Sequence, residues 1–254
     1  MEHEKRYEKI IENLRKNGRS TLRSLAELCE VSVDTVRRDL KILEEKGLIR
    51  MIRGGAVIRD DDPRKKSYGI RSVFHRDEKI ELCGGLRDIV REGSTVALNN
   101  GTTNTEAARF LSENFERLTV ITNSLDVIST LLEKSKFNVI VPGGFLDLQE
   151  KSIFGSKCEK DIAEYNIDAA LLTVNAISLD KGITDFRFNE IGVIKAMIRA
   201  SRRRYVLADS SKFETLSCVN VSPLNVVDGL LTDVLLPEKI KNRYSEAGYK
   251  IYIS

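Results

Sequence analysis

From Glu4 to Lys16 apolar residues recur at helical spacing: Tyr7, Ile10, Ile11 and Leu14 share one stripe, and Gly18 is of a kind that ends helices. A second, shorter helix is predicted in "STLRSLAELCE", where Ser20 and Thr21 are possible caps and Leu22, Leu25, Ala26 and Cys29 make the apolar stripe. The third follows in "VSVDTVRRDLKILEEKG": Ser32 is placed to cap it, Val33, Val36, Leu40 and Leu43 turn inward, and Gly47 stands where left-handed geometry closes a helix. This assignment leaves Thr35, Arg37, Arg38 and Lys41 outward. Next, "LIRMIRGGAVI" alternates around Gly54-Gly55, which predicts a two-stranded wing carrying Arg50 and Arg53.

The period changes further on. "STVALN" (94–99), "LTVIT" (118–122), "FNVIVP" (137–142), "DAALLTV" (168–174), "RYVLAD" (204–209) and "VDGLLTD" (227–233) are apolar runs of strand length, most of them separated by helix-patterned stretches. Such alternation implies a parallel sheet with helices on both faces, and there are too few strand–helix pairs for an eightfold barrel. Between the two patterns, "IRDDDPRKKSYGIR" is charged, contains Pro63 and Gly69 and lacks an apolar period. The predicted organisation is a helical domain over 1–58, a linker over 59–72 and a Rossmann-like α/β domain over 73–254.

Composition narrows the function classes. No stretch approaches the roughly 20 apolar residues of a membrane span, and "MEHEKRYEKI" has no apolar signal core, so a cytoplasmic protein is expected. Cys29, Cys83, Cys158 and Cys218 lie far apart and His3 and His75 are the only histidines, which favours buried or structural thiols over a zinc site; no metal or cofactor is expected. Residues 1–58 hold 13 of the 41 Lys and Arg and 10 of the 38 Asp and Glu, leaving 28 of each sign beyond. The whole positive excess therefore sits in the helical domain, where a polyanion would meet it.

Two short helices joined by a tight turn, the second with Thr and Arg near its start and a wing behind it, form the helix-turn-helix pattern. Arg37 and Arg38 then reach base edges or phosphates of double-stranded DNA, with Arg50 and Arg53 on flanking phosphate. The alternative is a three-helix bundle whose arginines only solvate a surface. The stretch "VSVDTVRRDLKILEEKGLIRMIRGGAV" resembles the DeoR family of bacterial transcriptional regulators, with its serine-started T-x-R-R-D-L helix, L-x-x-x-G and a wing ending in G-G-A. The resemblance implies that Ser32, Thr35, Arg37 and Arg38 belong to the DNA-contacting element and that Asp39 orients neighbours. Arg53 departs from the histidine of many members.

Ligands of open α/β sheets bind beyond the carboxyl ends of the strands. There, Asn99 ends a strand, Gly101 frees the backbone, and Thr102, Thr103 and Asn104 open a helix whose N–H groups suit an anion. Thr122-Asn123-Ser124, Gly143-Gly144 and Asp209 to Lys212 follow other strands. Each has a plain structural alternative: a capped turn for both Thr/Asn stretches, a hairpin turn for Gly-Gly, a solvated surface residue for Lys212. These segments also resemble the C-terminal half of the same family, which is similar in fold to ribose-5-phosphate isomerase and senses a phosphorylated sugar. The resemblance places Gly101, Thr102, Thr103, Thr122, Asn123, Ser124, Gly143, Gly144, Asp209 and Lys212 on family motifs and Glu190 on an acidic position of a helix. Two departures stand out: Asn99 for an aspartate, and Thr173-Val174-Asn175-Ala176 where many members read G-x-N-G.

The expectation is a homo-oligomeric, sugar-phosphate-controlled repressor of a carbohydrate operon, dimeric or tetrameric. The rival is a sugar-phosphate isomerase-like enzyme with Lys212, Asp209 and Glu190 as acid–base groups. Asn99 in place of a carboxylate and the lack of a histidine near the proposed sites count against turnover.

Overall fold

The computed structural model describes residues 2–58, 68–132 and 136–254, which divide into two compact units, Met1–Phe74 and His75–Ser254. Residues 59–67, most of the segment read as a linker, lie outside the described residues.

The first unit begins with α1 (Glu2–Asn17), β1 (Arg19–Thr21), α2 (Leu22–Cys29) and α3 (Val33–Glu45). Thr21 caps α2 by accepting from Ser24 N at 3.1 Å, and Ser32 caps α3 by accepting from Thr35 N at 3.1 Å. Gly47, at φ 73°, closes α3: its N–H bonds Glu44 O at 2.8 Å and Leu48 N bonds Leu43 O at 2.9 Å, satisfying carbonyls the helix leaves open. Ile10, Ile11, Leu14, Leu25, Val36, Leu40 and Leu43 form the core. Val33, expected inward, is exposed instead, because the first turn of α3 projects beyond that core.

The wing has three strands, β1-β3-β2, not two: β2 (Ile49–Ile52) and β3 (Gly55–Ile58) form the hairpin and β1 pairs with β3. Its turn is Arg53-Gly54, and Gly55 lies within β3 opposite Thr21. A Cβ on Gly55 would stand 2.0 Å from Ser20 O, so this position admits only glycine if β1 is to pair. Helix α4 (Tyr68–Val73) ends the unit.

The second unit opens with α5 (Arg76–Leu82) and α6 (Leu86–Ile89), then runs β4 (Thr95–Leu98), α7 (Thr102–Asn114), β5 (Thr119–Thr122), α8 (Leu125–Leu131) and β6 (Asn138–Ile140). A hairpin follows, β7 (Phe145–Asp147) and β8 (Ser152–Phe154), then α9 (Ser156–Ala163), β9 (Ile167–Thr173), β10 (Ala176–Ser178), β11 (Gly182–Asp185) and α10 (Phe188–Ala200). Last come β12 (Ser201–Leu207), β13 (Val219–Ser222), β14 (Gly229–Thr232), α11 (Glu238–Glu246) and β15 (Ile251–Ile253).

All six predicted strands lie in one parallel seven-stranded sheet, ordered β15-β14-β12-β9-β4-β5-β6. Edge strand β15 and the antiparallel β10-β11-β13 sheet went unread in the sequence, since runs of three or four residues carry little periodicity. Alternation divides the core in two: Val96, Leu98, Val120, Ala169, Leu171 and Leu207 face one layer, and Ala97, Ile121, Ala170, Leu172 and Val206 the other. From β4 the chain steps outward through β5 to β6; from β9 it steps the opposite way through β12, β14 and β15. The reversal lies between β4 and β9, the place where doubly wound sheets open a ligand crevice.

Candidate functional site

Two sites emerge, one on each unit. On the first, Val36, Leu40 and Leu43 seat α3 in the core while Arg37, Arg38 and Lys41 stand in solvent. Asp39 points inward, where its carboxylate takes two hydrogen bonds from Arg6 of α1, Nε to Oδ2 at 2.5 Å and Nη2 to Oδ1 at 3.1 Å. Asp39 thus orients the helix. Ser32 and Thr35 also join through their hydroxyls, 2.9 Å apart, and Arg37 pairs in solvent with Asp34 at 2.7 Å. Arg50 and Arg53 are exposed on the wing, which is tied to α3 by Met51 N donating to Glu44 Oε1 at 2.6 Å.

On the second unit the switch point is formed by the ends of β4 and β9 and the start of α7. Asn99 stitches those strand ends: Oδ1 accepts from Thr173 N at 2.8 Å, and Nδ2 donates to Thr173 O at 2.9 Å. Asn104 donates to Asn99 O and Leu171 O, each at 2.8 Å. The Asn99 amide is therefore spent on the framework, whereas Asn104 Oδ1 is buried without a hydrogen-bond partner. Gly101 precedes α7, and no side chain caps that helix, so the capped-turn alternative does not describe this stretch. A Cβ on Gly101 would stand 2.0 Å from Thr173 Oγ1, which explains the glycine. The first turn, at Thr102, Thr103 and Asn104, presents the positive end of a 13-residue helix at the switch point.

Thr122-Asn123-Ser124 answers the same question the other way. Ser124 caps α8 by accepting from Val127 N at 3.4 Å, and Thr122 Oγ1 donates to Leu98 O at 2.7 Å. Asn123 links the parts: Oδ1 accepts from Asn100 N at 2.9 Å, and Nδ2 donates to Glu190 Oε1 at 3.1 Å and to Ile153 O at 2.9 Å. Asn99, Asn104, Asn123, Ser124 and Glu190 are thus brought into one buried network. Burial pushes the Glu190 carboxyl up to about 7, against the lowering by the Arg187 charge and the Asn123 hydrogen bond.

Sequence reasoning missed the pair at the centre of this network, Asp185 and Arg187. Arg187 Nε and Nη2 engage Asp185 Oδ1 and Oδ2 at 3.0 and 2.6 Å, while Nη1 reaches Asn100 O at 2.6 Å and Nη2 reaches Thr173 O at 3.1 Å. One guanidinium therefore spans the switch point, from the end of β4 to the end of β9. Burial alone would lower its pKa, but the Asp185 charge and hydrogen bonds outweigh that and raise it. The one available signal was a charged pair inside the apolar surroundings of "GITDFRFNEIGV".

The remaining predicted residues lie apart from this network. Gly143 N donates to Asp161 Oδ2 at 2.8 Å, and a Cβ on Gly144 would stand 2.4 Å from Phe154 O, so these glycines serve the packing of the β7–β8 hairpin and α9. Asp209 and Lys212 follow β12, two strands from β4, or about 10 Å. Asp209 Oδ1 accepts from Ser211 N at 3.2 Å, while Oδ2 is buried without a hydrogen-bond partner. Burial would raise its pKa, but Lys212, Lys79 and His75 help to bring it below the usual value. His75 is thus near Asp209, contrary to the expectation that no histidine approaches a proposed site.

Of the thiols, Cys83 and Cys158 are buried, Cys29 is partly so and Cys218 is exposed, the last against the expectation of burial. Among the described residues no helix is long and apolar enough to cross a membrane.

Comparison with known proteins agrees with this division. The model of the DeoR-like helix-turn-helix domain matches residues 6–62, and that of the DeoR C terminal sensor domain matches residues 74–234. The HTH-type transcriptional repressor CsqR of Escherichia coli is 32% identical over 98% of this chain and 94% of its own length. The glycerol-3-phosphate regulon repressor of the same organism is 30% identical over 94% of each chain. Among solved structures, ribose 5-phosphate isomerase A of Methanocaldococcus jannaschii shares 14% identity and a TM-score of 0.41 over 55% of each chain, too faint a likeness to carry chemistry. With both halves matched in order and the similarity to repressors running through nearly its whole length, the chain belongs to the DeoR family.

Proposed function

We propose that the protein is a homo-oligomeric, cytoplasmic transcriptional repressor whose grip on operator DNA is set by a phosphorylated sugar bound at the switch point. One observation carries the reading: α3 presents Arg37, Arg38 and Lys41 to solvent from a helix locked by its core stripe and by the Arg6–Asp39 pair. That is how a recognition helix reads a major groove without rearranging. The uncapped start of α7 supplies backbone donors for a phosphate, and the unpartnered Asp209 Oδ2 supplies an acceptor for a sugar hydroxyl. Names such as the glycerol-3-phosphate regulon repressor support a phosphorylated metabolite as the signal. Turnover is no part of this reading, because the Asn99 amide is consumed in joining β4 to β9.

Control follows if the sugar phosphate binds one quaternary arrangement better than another; coupling of about 1 to 3 kcal/mol changes operator affinity some 5- to 150-fold. Thermal unfolding against a panel of sugars and their phosphates tests the reading. One phosphate should raise the midpoint by several degrees, since ligand at 100 times its Kd adds about 2.7 kcal/mol, and its parent sugar should not. No shift from any sugar phosphate would remove the effector from the proposal.

A further inference from the structure

The strands of the large sheet all run the same way, so their starts form a second edge, opposite the switch point. There the register sets Ala169 of β9 between Val96 of β4 and Arg203 of β12. A depression of about 420 Å³ opens at this level, walled by Arg202, Arg203, Asp168 and the turn Arg91-Glu92-Gly93 that follows α6. β9 is seven residues long, so at about 3.3 Å per residue this edge lies about 20 Å from the switch point.

Its walls are held by the backbone, and its carboxylates are already engaged. Gly93, at φ 76°, turns the chain, and its N–H donates to Arg117 O at 2.7 Å. Glu92 Oε1 accepts from Glu116 N at 2.9 Å and from Arg117 N at 3.0 Å, and Asp168 Oδ2 accepts from Thr95 N at 2.9 Å. The arginines are left over. Arg204, next along β12, pairs with Asp228 at 2.9 Å, but among the described residues the side chains of Arg91 and Arg202 make no ion pair. Arg203 Nη1 donates only to the hydroxyl of buried Tyr205, at 3.3 Å, which leaves the rest of its fork open. Guanidinium forks match the oxygens of a phosphoryl group in shape and charge. DNA does not suit the place, because the charges line a depression with two carboxylates among them. A compact ligand suits both signs: its phosphate meets the arginines, and a hydroxyl meets Asp168 Oδ1, which accepts no bond among the described residues. The volume is that of a small-molecule site.

We infer that this depression is a second ligand site, separate from the switch point, and that it takes a small phosphate ester bearing hydroxyl groups. The inference does not rest on the sugar-phosphate reading of the switch point. Phenylglyoxal labelling of the full chain tests it, with each modified arginine located by peptide mass spectrometry, glycerol 2-phosphate as the probe and sodium chloride at matched ionic strength as the control. The ester should slow labelling of Arg91, Arg202 and Arg203 severalfold and leave exposed Arg23 unchanged. Arg202→Gln with Arg203→Gln removes two of the three forks. Both side chains are exposed, so circular dichroism and melting midpoint should hold, while the ester concentration that half-protects Arg91 should rise about tenfold or more. Inorganic phosphate, with no hydroxyl for Asp168, should protect more weakly than the ester. Labelling that the ester leaves unaltered, or slows equally at Arg23, overturns the site, as does unchanged protection of Arg91 in the double variant. Equal protection by inorganic phosphate overturns the ester.

Discussion

The two units use arginine in opposite ways. In the first, Arg37 and Arg38 stand in water on a helix whose position is secured by other residues; in the second, Arg187 is buried and is itself the fastening between two strand ends. Exposed arginines keep their donors for a partner and contribute little to folding, since surface ion pairs such as Arg37–Asp34 are worth about 0 to 1 kcal/mol. A buried arginine gives its donors to the fold, and the Asp185 carboxylate beside it depends on that charge. The same side chain is therefore a reader in one place and a structural member in the other.

The largest effect should come from Arg187→Met. It leaves Asp185 buried without its counter-charge and frees the Asn100 and Thr173 carbonyls, so unfolding in urea at neutral pH should show a loss of about 3 to 5 kcal/mol. A loss below about 1 kcal/mol would erase the contrast between the units. Next, Arg37→Ala and Arg38→Ala should change stability by no more than about 0.5 kcal/mol while weakening operator binding by about 1 to 3 kcal/mol for whichever residue reads a guanine. Fluorescence anisotropy on matched and substituted operators separates a base contact, lost at one position, from a phosphate contact that weakens every sequence alike. Unchanged affinity for both variants at low salt would reduce α3 to a solvated surface.

A further effect, seen only as pH is varied, concerns Glu190. Its folded-state value of about 7 lies above the ordinary 4.5, so its contribution is fully present below about 4.5 and is lost as pH rises through about 7. Glu190→Gln cannot titrate. The wild type should therefore lose stability relative to this variant between roughly pH 4.5 and 7, seen as melting midpoints that diverge as pH rises. Parallel curves across that window would mean that Glu190 stays ionised in the folded protein.

The first unit was almost wholly legible because its signals are local: caps three residues from the amide they satisfy, a stripe at 3.6 residues, a glycine just past a helix end. Where it departed, the cause was distant. β1 joined the wing because Gly55 lets Ser20 approach, 35 positions away. In the second unit the strand ends were legible but their division of labour was not. Gly101-Thr102-Thr103 and Thr122-Asn123-Ser124 look alike as strings, yet Ser124 caps its helix and nothing caps the other. Gly143-Gly144 reads as a binding loop or a hairpin turn, and the chain alone does not show that the two glycines pack against Phe154 and Lys157.

The sequence by itself determined the order of elements, the parallel sheet and the outward face of α3, because each depends on residues a few positions apart. Only the tertiary structure decided that Arg187 joins Asn100 to Thr173, that Asn99 is spent on the framework and that Asn123 meets Glu190. Those contacts close over tens of residues, and a hydrogen bond of that span leaves no period in the chain.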